Sequence, residues 1–193
     1  MPKAIKKGSD ARERLLSTAY RLFSAQGVEQ VGVDTIVARS GCAKASLYAH
    51  FPSKGDLALA FLERREALWT RGWLQAEVLR RAKTADGQLL AFFDVFDGWF
   101  QQRDFEGCSF VNVMLESSPR SPVRRAATRH LANIRDILRT LAEEAGLADA
   151  ARFADAWHML MKGSIVSAGE GNLQAARTAK RAAKLVLEGW PRR

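Results

Sequence analysis

Apolar residues recur along most of this chain at steps of three and four, the spacing that lines one side of an α-helix. Leu15, Leu16, Ala19, Leu22 and Phe23 form the first stripe, and Gly27 closes it. Asp10 and Glu13 fit a capping box that starts this helix near Ser9 or Asp10, behind a short basic arm over residues 1–8. Val33, Ile36 and Val37 make a second, shorter stripe, with Gly32 as a weak N-cap. Gly41 offers the left-handed backbone that a helix end and a sharp turn need. A third helix follows from about Ala43, with Leu47, Tyr48 and Phe51 turned inward, and Pro52 stops it. Ser53 and Asp56 read as a capping box opening a fourth.

That fourth helix is expected to continue with few breaks to about Ala82, a length of roughly 40 Å. Leu57, Phe61, Leu68, Val78 and Leu79 supply its inner face, Glu63 to Glu66 a solvated one, and Gly72 a candidate bend. Thr84 to Gly87 mark a new start, and residues 88–102 are apolar almost all round, as in a helix buried on several sides. A short helix over 108–117 carries Phe110, Val113 and Met114. Ser121 and Pro122 open the next, a Ser N-cap with Pro at the first helical position. Its stripe runs from Ala127 through Leu131, Ile134, Leu138 and Leu141 to Ala145, and Gly146 ends it. Asp149 begins a helix bearing Phe153, Trp157, Leu160 and Ser164; Gly169 and Gly171 break the chain before a last helix over 173–188. No alternating β pattern of useful length occurs. The fold is expected to be all-α with about nine helices. Residues 1–53 form a three-helix head of helix-turn-helix type, and 54–193 a helical body.

Charge narrows the class of partner. Thirty Lys and Arg against 21 Asp and Glu leave +9, which favours an anionic partner such as nucleic acid or an acidic membrane surface. Cys42 and Cys108 are too few for a disulfide framework, which points to a reducing compartment. No apolar run approaches the roughly 18 residues of a membrane span, and no secretory h-region follows the N-terminus. A cytoplasmic location is expected.

Helix, glycine turn and a short second helix are what a major-groove reader needs. Such a helix must carry small outer side chains to enter a groove about 12 Å wide, and Ala43, Lys44, Ala45, Ser46 and Ala49 meet that demand. Lys44 suits either a guanine edge or a phosphate. Thr35, in the first turn of its helix, and Lys54, at a helix N-terminus, suit phosphates.

The segment TIVARSGCAKASLYAHFPSKGDL resembles the signature of the tetracycline-repressor (TetR) family of transcriptional regulators, and YRLFSAQG is similar to the end of that family's first helix. The likeness is at motif level over roughly residues 10–60 and architectural beyond. It implies that Tyr48 and His50 bond backbone phosphates of a palindromic operator. Three positions depart from the family pattern. Ala43 replaces a frequent capping Ser, Ala45 a frequent Gly, and Cys42 a frequent Val.

The resemblance also implies a homodimeric repressor, released from operator DNA by an effector bound among the helices of the body. An aromatic set at Trp69, Trp73, Phe92, Phe93, Phe96, Trp99, Phe100, Phe105, Phe110 and Trp157, with Met114, Ile134 and Met161, is a candidate lining for an apolar or aromatic ligand, though each also suits plain core packing. Asn112, Glu116, His130 and His158 are polar groups that could orient it. Small residues let a second helix approach closely. Ala156, Leu160, Gly163 and Ser167, with Ala175, Ala179, Ala182 and Val186, therefore form the expected interface of a two-fold four-helix dimer. The rival from another class is a basic helical protein binding RNA or an anionic membrane surface. An enzyme is disfavoured: three histidines without metal-ligand spacing and no phosphate loop leave no catalytic residue, metal or cofactor to name.

Overall fold

The structure, a computed structural model, describes residues 11–193. The basic arm and the Asp10 cap lie outside the described residues. Within that range the backbone forms nine helices and no strand: α1 Ala11–Gln26, α2 Val33–Ser40, α3 Lys44–His50, α4 over 54–81, α5 Ala85–Phe100, α6 Ser109–Glu116, α7 Pro122–Glu144, α8 Ala150–Gly169 and α9 Ala175–Gly189. None of the described helices is long and apolar enough to cross a membrane. The chain divides into two compact units. One holds the described residues up to Arg65 together with Ser109–Thr128; the other holds Glu66–Cys108 and Arg129–Arg193.

In the first unit Leu15, Leu22, Phe23, Ile36, Leu47, Phe51, Leu57 and Phe61 are buried, each stabilising the folded state by about 1.5–3 kcal/mol relative to exposure. Phe61 meets the rings of Tyr20 and Phe23 edge-on, both at 5.5 Å. Arg64 forks onto Glu13, at 2.8 Å and 2.5 Å, fastening α4 to α1. The α1–α2 turn is held from far along the chain: Glu116 of α6 accepts from the amides of Val28 (2.9 Å) and Glu29 (3.3 Å). Gly27 has φ +84°, and a Cβ there would meet the Glu116 carboxylate at 2.8 Å. The positive φ favours glycine here, and any side chain would make the Glu116 carboxylate shift. The capping box at the start of α4 is present, with Ser53 Oγ accepting from the Asp56 amide at 3.1 Å.

α4 runs unbroken as expected, but it is not α-helical throughout. Lys54–Arg65 and Ala76–Arg81 are α-helix, and Glu66–Gln75 between them is π-helix. Gly72, the candidate bend, lies within the π stretch, where its missing side chain leaves room for the wide turn: a Cβ there would lie 2.9 Å from the Ala67 carbonyl oxygen. The wider turn also changes which residues face inward. Leu68 and Leu79, expected inside, are exposed, while Thr70 and Leu74 are buried. Glu66, expected in solvent, is buried as well: Asn133 donates to it at 3.3 Å and His130 Nδ1 lies 3.2 Å from its other oxygen. Burial pushes the Glu66 carboxyl up, but its bond to His130, the charges of His130 and Arg71, and Asn133 hold it below the usual range.

The second unit is built around α5, whose Leu89, Phe92, Phe93, Phe96 and Phe100 are all buried. Lys180 to Asp94 at 2.6 Å and Arg177 to Asp97 at 3.0 Å fasten α9 to it. Trp157 of α8 stacks on Phe153 with ring centroids 5.0 Å apart. The side chains of Thr84 and Asp149 cap α5 and α8. Trp190 Nε1 donates to the Ala148 carbonyl at 2.7 Å, drawing the C-terminal tail against the α7–α8 turn.

Candidate nucleic-acid interface and ligand cavity

Gly41, at φ +65° and ψ 26°, turns the chain between α2 and α3. Ser40 Oγ tightens this turn, donating to the Val37 carbonyl at 3.0 Å and accepting from the Cys42 amide at 3.3 Å. Ile36 and Leu47, both fully buried, clamp the two helices together. Beneath them Phe51 carries the Arg12 guanidinium over its ring at 5.2 Å.

With α3 held in this way, its other face is open. Thr35, Ala43, Lys44, Ala45, Tyr48, Ala49 and His50 are exposed, and Ser46 and Lys54 are half-buried. Tyr48 corrects one expectation. It is 44% exposed rather than turned inward, because Leu47 already occupies the inner position one step earlier. Ala43 makes no side-chain cap, as the replaced Ser implied. Both lysines of the site have partners: Lys44 lies 2.7 Å from Asp34, whose hydrogen bond raises the pKa of its amine. Lys54 donates to the Glu29 carbonyl at 3.2 Å. Asp34 was not legible as a site residue, since nothing in the linear pattern joins it to Lys44 across the turn.

The second unit encloses a cavity among α4, α5, α7 and α8. Trp69, Phe96, Ile134, His158 and Met161, all expected there, line it with Leu74, Cys108, Leu131, Lys162 and Ile165. Its volume is about 10 Å³, room for about one water. Phe93, Trp99, Phe100 and Trp157 are spent on packing, and Trp73 lies against Trp69 and Trp99 with ring centroids 5.5 and 6.4 Å away. His130 is engaged by Glu66. Phe110, Asn112, Met114 and Glu116 belong to the first unit. A separate open groove of about 320 Å³ runs between Val78, Leu79, Phe92, Ile137 and Leu141, with Gln75, Gln88, Thr140 and Glu144 also lining it. Of the aromatic set expected around a ligand, Phe92 alone lines it.

His158 stands out within the cavity wall. It is only 2% exposed, and its Nδ1 is buried without a hydrogen-bond partner. Burial, with the positive charges of Lys162 and Arg135, pushes its imidazole down to about 3. It is therefore neutral at physiological pH.

Of the residues expected at a dimer interface, Gly163 and Ala182 are exposed and Ala156, Leu160, Ser167, Ala179 and Val186 half-buried. Ala175 is the exception. It is buried within the chain at the first turn of α9, so little of it is left for a partner. Sequence reasoning passed over the larger apolar groups on these two helices, Met159, Val166 and Leu185, which are 62%, 55% and 72% exposed. Among the described residues, no three of His, Cys, Asp and Glu gather where they could hold a metal ion.

A glycine-turned helix pair with a small, open outer face, in an all-helical chain with a cavity in its second unit, defines a helix-turn-helix protein of regulator type. Residues 15–61 match the family model of bacterial regulatory proteins of the tetR family. SCO4454, a TetR-family transcriptional regulator from Streptomyces coelicolor, aligns over 94% of this chain and 90% of its own, with 32% identity and a TM-score of 0.81. The chain belongs to the TetR family. LmrA of Bacillus subtilis, an HTH-type transcriptional regulator, is 49% identical over 51 residues, 26% of this chain and 27% of that protein. FasR of Mycolicibacterium smegmatis, an HTH-type transcriptional activator, is 37% identical over 107 residues, 53% of this chain and 45% of its own. The matched stretches thus span about a quarter and under half of those two relatives.

Proposed function

We propose that this protein is a homodimeric, sequence-specific DNA-binding repressor, released from a palindromic operator in the cytoplasm by a small apolar or aromatic effector. The observation that carries this reading is the open face of α3. Its small side chains at Ala43, Ala45, Ser46 and Ala49 let the backbone enter a major groove, and Ile36, Leu47 and Phe51 fix the helix from behind. Lys44 contacts base or phosphate, and Thr35, Tyr48, His50 and Lys54 hold the DNA backbone. Residues 1–53 act as the reader; residues 54–193 bind the effector and pair two copies through α8 and α9.

The mechanism follows from geometry. Two heads must stand about 34 Å apart to meet successive major grooves, so an effector that favours another spacing reduces binding by the ratio of its affinities for the two states. α4 is the element through which that preference passes, since one continuous helix carries residues of both units. Selection of bound duplexes from a random pool tests the reading. A palindrome with half-sites one helical turn apart is expected; salt-sensitive binding with no sequence preference would sink it.

A further inference from the structure

The cavity wall has an uneven chemistry. Seven of its ten lining residues are aliphatic or aromatic, and Cys108, His158 and Lys162 supply the rest. No Asp or Glu lines it, and the two charges that act on His158, Lys162 and Arg135, are both positive. Arg135 has a carboxylate of its own, Asp155 at 3.5 Å on the exposed side; Glu66 is engaged by His130, Asn133 and Arg71. His158 Nδ1 is buried with no partner, and a buried polar atom in that state is a standing demand for a hydrogen bond.

We infer that the effector is a hydrophobic weak acid bound as its anion, its apolar body among Trp69, Phe96 and Met161 and its acidic group against Lys162 and His158. This inference rests on the proposed effector-responsive function and specifies its ligand. The charge argument is direct. A site lined by apolar residues, with one lysine and no carboxylate among them, favours an anion over a cation once a ligand opens it. Space must be made, because the cavity now measures only about 10 Å³. Met161 is unbranched and adaptable, and Trp69 is only half-buried, so these two are the groups that yield. Trp69 lies on the π-helical stretch of α4, so a ligand that displaces it acts directly on the helix that continues into the first unit. The larger groove offers the opposite chemistry: its one charged lining residue is Glu144, which repels an acid.

The test uses three probes of one shape, naphthoic acid, naphthamide and naphthylmethylamine, titrated at neutral pH and followed by tryptophan fluorescence and calorimetry. The acid is expected to bind about tenfold or more tighter than the amide, with the amine weakest. Lys162→Gln, at a half-exposed position that tolerates the change, brings the acid down to the level of the amide. His158→Gln weakens both, and Glu144→Gln in the groove changes neither. Equal binding of acid and amide, tightest binding of the amine, survival of the acid preference in Lys162→Gln, or no binding of the acid each overturns the inference. Duplex selection without ligand separates the two readings. A protein that selects a palindrome but favours the amine keeps its function and loses this ligand class. One that selects no duplex but favours the acid keeps the ligand class and loses the function.

Discussion

Lys44 Nζ lies 2.7 Å from Asp34 Oδ1, so the first residue of α3 is tethered to the helix before it, across the glycine turn. Both side chains are well exposed, and a pair of this kind is held only weakly. Its consequence is for the proposed binding: the cation proposed to meet DNA already faces an anion that phosphates would also repel. Asp34→Asn is expected to raise operator affinity by several-fold in mobility-shift titrations at fixed salt. Lys44→Ala and Tyr48→Ala are expected to abolish the shift with an unchanged far-UV helical spectrum. Normal shifts by both alanine variants would remove these residues from the interface.

Gly72 and Gly98 both lie inside helices, yet substitution should act in opposite directions. At Gly98 a Cβ meets nothing within 4 Å, so Gly98→Ala is expected to stabilise by about 0.5–1 kcal/mol through helix propensity. At Gly72 the same atom would lie 2.9 Å from the Ala67 carbonyl oxygen. Gly72→Ala must disturb the π-helical turn and is expected to lower stability by about 1–2 kcal/mol. Urea denaturation of the two variants reads the signs.

His158 gives the protein a defined response to acid. Its imidazole is held at about 3, against an ordinary value of 6.5. Between those values the unfolded chain binds a proton that the folded chain excludes, so stability falls as pH drops. The contribution is intact above about pH 6.5 and declines by about 1.4 kcal/mol per pH unit well below it, to a total of about 5 kcal/mol. Denaturant titrations from pH 7 to pH 4 should show a shallower loss in His158→Phe than in the native sequence. Parallel slopes would mean that the imidazole is protonated inside the fold.

Leu185 and Met159 test the dimer. Both are large apolar groups in solvent on the faces of α9 and α8, and Leu185→Glu and Met159→Glu place a charge where a second copy would bury it. Each is expected to shift the protein to monomer in light scattering at low micromolar concentration, and to weaken operator binding with it. A native protein that is itself a stable monomer at that concentration would remove the dimer from the mechanism.

Local rules made much of this chain legible. The capping box at Ser53, the Thr84, Ser121 and Asp149 helix starts and the left-handed glycines at 27, 41 and 146 all act within a few residues, and they lie where the pattern put them. The misplaced faces of helix α4 have one origin. An α period of 3.6 placed Leu68 and Leu79 inside and Glu66 outside, whereas the π stretch reassigns the faces. Within that stretch Trp69 and Trp73 pack against Trp99, a residue of another helix that no local pattern brings in. The Lys44–Asp34 pair and the Glu116 hold on the α1–α2 turn were hidden for the same reason.

The sequence by itself determined the all-helical class, the glycine-turned reader and the small outer face of α3, because periodicity, caps and side-chain size are local properties that any folding of this chain must respect. Only the tertiary structure decided which aromatics pack and which line a cavity, that His158 sits there neutral and unpartnered, and that Lys44 is already engaged. Those depend on burial and charge brought together from residues distant along the chain, which no linear pattern encodes.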